Sequence, residues 1–161
     1  MSDAKKPIGR KHPAHHQLME QSNCSSIVFV TVCSKDRKPL FARSDVHELV
    51  VRSWEKADLW IVGRYVLMPD HIHLFCSPAI HEYPPLKKWI QYWKALVSKK
   101  WPHPAEQPIW QQDFWDTQLR QSDTYSEKWH YVLNNPVRAG LIGQANHWPF
   151  QDEMETLYWH D

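Results

Sequence analysis

The run Ile27-Val28-Phe29-Val30-Thr31-Val32-Cys33 constrains the fold of this chain most strongly. β-Branched side chains are stiff at χ1, crowd a helix and pack well on a pleated surface. A near-continuous apolar run of this length reads as a strand covered on both faces, in the middle of a sheet. The other elements must be arranged around it.

Ser34 to Leu40 is a polar loop. Ser44 is a candidate N-cap for a helix from Asp45 to Lys56, where Val46, Leu49, Val50 and Trp54 recur at helical spacing. Leu59 to Met68 is a second strand, Pro69-Asp70 breaks it, and His71 to Cys76 is a third, so 59–76 forms a hairpin. Pro84 and Pro85 open a helix whose buried face is Leu86, Trp89, Ile90, Trp93, Leu96 and Val97. Trp101 to Pro108 holds three prolines and is a loop. Trp110 to Arg120 contains a fourth strand. Ser122 or Asp123 caps a last helix running to about Asn134, where Pro136 ends or restarts it. This order, β-α-β-β-α-β followed by a helix, predicts an α+β, ferredoxin-like fold with an antiparallel sheet and helices on one face.

A length of 161 residues suits one domain with its own core. We divide it into a polar, basic arm (1–24), a domain (25–143) and an acidic tail (144–161). Lys and Arg total 19 against 18 Asp and Glu, which excludes a histone-like basic protein and an acidic disordered chain. The balance is uneven along the chain. Tyr83 to Ala105 holds Lys87, Lys88, Lys94, Lys99 and Lys100 and no acid, whereas the segment after Gly143 holds four acids and no Lys or Arg. A lysine-rich helix is either a solvated face or a track for a phosphate backbone. The 10 tryptophans are core mass or stacking platforms for bases, and the core reading takes the larger share, Trp89 and Trp93 included. No apolar stretch is long enough for a membrane-spanning helix, and residues 1–16 lack the apolar region of a signal peptide. Cys24, Cys33 and Cys76 are odd in number, which suits a reduced, cytoplasmic compartment.

Two short patterns carry chemistry. His71 and His73 are one residue apart on a strand, so both imidazoles face the same way and can share a metal ion; Cys76 falls on the opposite face. The bland alternative is a polar pair on the wet face of a sheet. Asp70 reads as a turn residue, with orientation of His71 as the second possibility. Further on, Tyr131 and Asn135 share a helix face at i, i+4, where a phenol and an amide could act together or simply edge the core.

The segment Tyr65-Val66-Leu67-Met68-Pro69-Asp70-His71-Ile72-His73-Leu74-Phe75, followed by Tyr131-Val132-Leu133-Asn134-Asn135-Pro136-Val137-Arg138-Ala139-Gly140-Leu141, resembles the single-tyrosine transposases with a His-hydrophobe-His motif. Within them it is most similar to the REP-associated tyrosine transposase branch. Phe114-Trp115-Asp116-Thr117-Gln118-Leu119-Arg120 also resembles the segment that branch carries before its tyrosine helix. The similarity spans about residues 26–143.

The resemblance implies a ferredoxin-like core acting on single-stranded DNA with hairpins. It implies His71, His73 and Asn135 as ligands of a divalent cation, Mg or Mn, and Tyr131 as the nucleophile forming a 5′-phosphotyrosine. The mobile insertion-sequence branch carries Gln where Asn135 stands, so Asn135 favours the REP-associated branch. Mobile relatives work as dimers and REP-associated ones as monomers, which leaves monomer or homodimer open. Lys87, Lys88, Lys94, Arg120 and Arg138 are candidate DNA contacts, against solvated faces and surface ion pairs. Two further readings use the same residues: a domesticated hairpin-DNA binder without turnover, and a metal-dependent RNA-processing nuclease.

Overall fold

The computed structural model describes residues 26–120 and 125–158. Its sheet has five antiparallel strands in the order β4-β1-β3-β2-β5. These are β1 (Val28–Ser34), β2 (Trp60–Leu67), β3 (His71–Pro78), β4 (Trp110–Gln118) and β5 (Gln151–Glu153). The apolar run is thus an inner strand, held between β3 and β4 as its composition requires. Helix α1 (Ser44–Lys56) follows β1, and α2 (Leu86–Lys99) follows the β2–β3 hairpin. Helices α3 (Tyr125–Leu133) and α4 (Asn135–Arg138) follow β4. The fold is α+β with the ferredoxin-like element order.

Alternation along the strands creates two cores. Val28, Val30 and Val32 of β1 join Ile72, Leu74 and Cys76 of β3 under α1 and α2, which contribute Val46, Val50, Trp54, Trp89, Ile90, Trp93 and Val97. Most of the tryptophans are spent here: Trp54, Trp89 and Trp93 interlock at ring separations near 6 Å. On the opposite face, Ile27, Val66, Met68 and Phe75 pack under Tyr125 and Val132 of α3, with Trp148 and Leu157. Helices therefore lie on both faces of the sheet, not one, and the tyrosine helix shares its face with the odd-numbered residues of β3.

Two local expectations change. Ser44 is the first helical residue, and Arg43 is the residue before it, with no side-chain cap. The alternative caps Ser122 and Asp123, like the basic arm 1–24, lie outside the described residues. The segment read as an acidic tail is built into the fold. β5 pairs with the edge of β2, Arg64 Nε donates to Glu153 Oε2 at 3.0 Å, and the Trp148 indole donates to the Leu67 carbonyl at 3.0 Å. Glu153 answers a cation on β2, and the segment's few apolar residues close the second core.

Candidate metal centre

His71 and His73 stand on one face of β3, and their Nε2 atoms are 3.1 Å apart. The amide nitrogen of Asn135, at the start of α4, lies 2.9 Å from His73 Nε2 and 3.3 Å from His71 Nε2. Rotating that amide by half a turn exchanges its nitrogen and oxygen, so the same position can offer a donor pair or a ligand oxygen. Pro136 makes this possible: without an N–H it interrupts the ladder after Leu133, and a new turn begins at Asn135.

The surroundings fix the tautomer of His71. His71 Nδ1 lies 2.7 Å from Asp70 Oδ1, and a carboxylate only accepts, so Nδ1 carries the proton and Nε2 keeps its lone pair. Asp70 therefore sits in the turn and orients His71, both readings at once. Thr31 Oγ1 is 2.8 Å from His73 Nδ1, and Phe29 stacks on the His73 ring at 5.2 Å. Burial holds both imidazoles below their usual range, against the pull of Asp70 in the case of His71. His73 falls to about 3, with neighbouring His71 and Arg138 lowering it further. Burial would raise Asp70, but its bonds to His71 and Arg37 outweigh that and hold it low.

Arg37 had no place in the sequence reading. Its Nε donates to Asp70 Oδ2 at 2.8 Å, and its Nη1 donates to Cys33 Sγ at 3.2 Å. Asp36 and Arg37 both have φ near 55°, a left-handed backbone that costs non-glycine residues about 1 kcal/mol each. That strain places the guanidinium against the Asp70–His71 pair. Positive φ cannot be read from Lys35-Asp36-Arg37, and Thr31 was hidden inside an apolar run.

The three atoms are spaced as adjacent ligands of a single ion would be. Ligands in adjacent octahedral positions about 2.1 Å from a metal are ~3.0 Å apart. The triangle formed by the two Nε2 atoms and the Asn135 amide has sides of 2.9, 3.1 and 3.3 Å. Two neutral imidazoles and one amide leave the other positions to oxygen ligands. Among the described residues, no three His, Cys, Asp or Glu are grouped to hold a metal ion, here or elsewhere, so this centre needs the Asn135 amide as its third ligand.

Tyr131 stands one helical turn before Asn135 and is 65% exposed, with the Arg138 guanidinium 4.1 Å from its ring centroid. The other basic candidates divide. Arg120 is exposed at the end of β4. Lys87 and Lys88 are exposed on α2, across the sheet from the imidazoles. Lys94 does not face solvent: it is 8% exposed, and its Nζ donates to the Gln111 carbonyl at 2.9 Å over the Trp110 ring. It lies at i+4 from Ile90, so the buried stripe of α2 is wider than its apolar residues suggest. Lys128 of α3, by contrast, lies beside the centre, its Nζ 5.1 Å from the Phe29 ring.

No family model matches the chain. It is 26% identical over 102 residues to the REP-associated tyrosine transposase of Escherichia coli (strain K12), covering 60% of this chain and 59% of that protein. A Haemophilus influenzae protein provisionally given the same name is 26% identical over 96 residues, 52% of this chain and 53% of its own. The chain thus spans little more than half the length of these relatives. In fold it is similar to the solved structure of a REP-associated tyrosine transposase bound to a REP hairpin. The TM-score is 0.61 at 21% identity, over 83% of this chain and 80% of that one. The chain is similar to REP-associated tyrosine transposases in sequence and in fold.

Proposed function

We propose that this protein cleaves and rejoins single-stranded DNA beside REP-like hairpins, with Tyr131 as the nucleophile and a divalent cation held by His71, His73 and Asn135. The observation that carries the reading is the convergence of the Asn135 amide with both imidazole Nε2 atoms, one turn from Tyr131. The relatives' names supply the substrate class, and the bacterial cytoplasm is the compartment that goes with it.

When bound, Mg or Mn supplies a Lewis acid that polarises a phosphate oxygen and steadies its developing charge. Every other part of the chemistry belongs to the chain. The Tyr131 Oη attacks phosphorus, the bond to the 3′ oxygen breaks, and the phenol's proton passes to solvent or a base as the 3′ oxygen takes one up. The product is a 5′-phosphotyrosine, which a 3′-hydroxyl can reverse without outside energy. Arg138, packed on the Tyr131 ring, holds the phenol's direction and presents cationic N–H groups to a phosphate. Lys128 adds charge on the same side, and Arg120 is a further phosphate contact. Lys87 and Lys88 serve a duplex that reaches around to α2.

The test is adduct formation on a denaturing gel, using end-labelled hairpin DNA from the protein's own genomic flanks with Mg or Mn. A covalent band is expected for the unmodified protein and absent in Y131F and in EDTA. Hairpin binding without a band for any flank would replace this reading with a binding protein that has lost turnover. A preference for the RNA version of the hairpin would replace it with an RNA nuclease.

A further inference from the structure

We propose that the indole of Trp115 is a stacking platform for an unpaired nucleotide near the phosphate held at the His71–His73 centre. This rests on the reading of single-stranded DNA as the substrate and names a subsite for it.

Residues directly opposite on antiparallel strands share a face. Thr31 of β1 pairs with His73 on one side and with Trp115 of β4 on the other. Trp115, Thr31 and His73 therefore form one row across the sheet, and Trp115 lies two strand spacings, about 10 Å, from the centre. Single-stranded DNA covers that distance in at most about three nucleotides at ~3.4 Å each.

Among the described residues, this half of the face is left open. Helix α3 and the segment around Trp148 and Leu157 cover the face over Val66, Met68 and Phe75. Phe29 and Thr31 are only half-buried, and Thr117 and Trp115 are exposed. At 46% exposure Trp115 contrasts with Trp54, Trp60, Trp89, Trp93, Trp101 and Trp148, all of which are 8% exposed or less. What singles out this ring is its place: a large aromatic exposed on the edge strand, in the same row of the sheet as His73.

The charge around the ring suits a nucleic acid. Lys128 lies over Phe29, which pairs with Thr117 in the next pair on the same face, and Arg138 lies over Tyr131. Asp116 falls on the opposite face, paired with Val30. Cations on the same face of the sheet as an exposed aromatic fit the arrangement by which proteins hold unpaired bases with little sequence preference.

The test measures affinity for a fluorescent hairpin with single-stranded flanks, for wild type, W115A and W115F, alongside a scan of abasic nucleotides through the flank. W115A is expected to bind about tenfold more weakly, while W115F stays within about threefold of wild type. Wild type should lose the same factor at one abasic position, to which W115A should be indifferent. Equal binding by W115A and wild type, or identical abasic profiles, overturns the platform. The abasic scan on wild type needs no variant, and melting curves establish that the variants fold. If wild type fails to bind the flanked hairpin, the DNA reading falls first and this subsite with it.

Discussion

Asp70 joins Arg37 to His71: one carboxylate oxygen lies 2.7 Å from His71 Nδ1 and the other accepts from Arg37 Nε at 2.8 Å. A partner of this kind fixes the tautomer of a ligating histidine and raises its basicity. Asp70→Asn keeps the shape and removes the charge. It should weaken Mn binding roughly tenfold to a hundredfold, read by isothermal titration. Arg37→Met should give a smaller loss in the same direction, because it acts through Asp70. Unchanged Mn affinity in D70N would show that the carboxylate only shapes the turn.

His73 titrates in the fold near 3, far below an ordinary imidazole. The unfolded chain therefore takes up a proton near pH 6.5 that the metal-free folded chain refuses. A group depressed in this way stabilises the fold above its unfolded pKa and loses that contribution as pH falls toward 3. Each pH unit below 6.5 should cost up to ~1.4 kcal/mol. Urea unfolding in EDTA at pH 7.5 and 5.5 measures the slope, and His73→Gln should flatten it. An equal slope in the variant would assign the acid sensitivity elsewhere.

Lys94 is buried in the α2 face, its pKa lowered to about 8 chiefly by burial. Below pH 8 the folded chain holds a charged amine that the unfolded chain solvates better, and above about 10.4 neither state is charged. Wild type should therefore gain stability relative to Lys94→Met between pH 8 and 10, by about 1–3 kcal/mol. K94M should also leave hairpin affinity and its salt dependence unchanged, whereas K87M with K88M tests the exposed part of the helix. A shallower salt slope in K94M would return Lys94 to the DNA surface.

The order of elements was legible because each signal was local: a β-branched run, a Pro-Asp turn, an apolar stripe at helical spacing. His71 and His73 were legible as a pair because strand alternation is strict. Asn135 was not fixed by periodicity, since only the restart of the helix at Pro136 brings its amide onto the imidazoles; the family resemblance identified it. Arg37, Thr31 and Lys128 reach the centre through tertiary contacts that leave no periodic trace. Lys94 misled for a related reason, because a long amphipathic side chain can be buried along its stem while its amine finds a carbonyl. Residues 144–158 misled through composition: three acids concealed a strand that pairs with β2 and an indole that closes the second core.

That closing segment makes Gly63 a point where stability and the site meet. A methyl group at Gly63 would stand 2.7 Å from Leu157 Cγ and Cδ1 and 2.7 Å from the Tyr125 hydroxyl. The hydroxyl accepts from the Arg64 backbone N–H at 3.0 Å, and this bond seats the first turn of α3 on β2. Gly63→Ala must therefore displace Leu157, Tyr125 or both, at about 1–3 kcal/mol in unfolding experiments. Leu157→Ala alone opens a cavity, but in the double variant the new methyl moves into that space, so the combined loss should be less than the sum. Because α3 leads into Asn135, G63A should also lower Mn affinity, and the double variant should recover part of it. Strict additivity in stability, with Mn affinity untouched in G63A, would mean that the C-terminal segment covers the sheet without positioning the tyrosine helix.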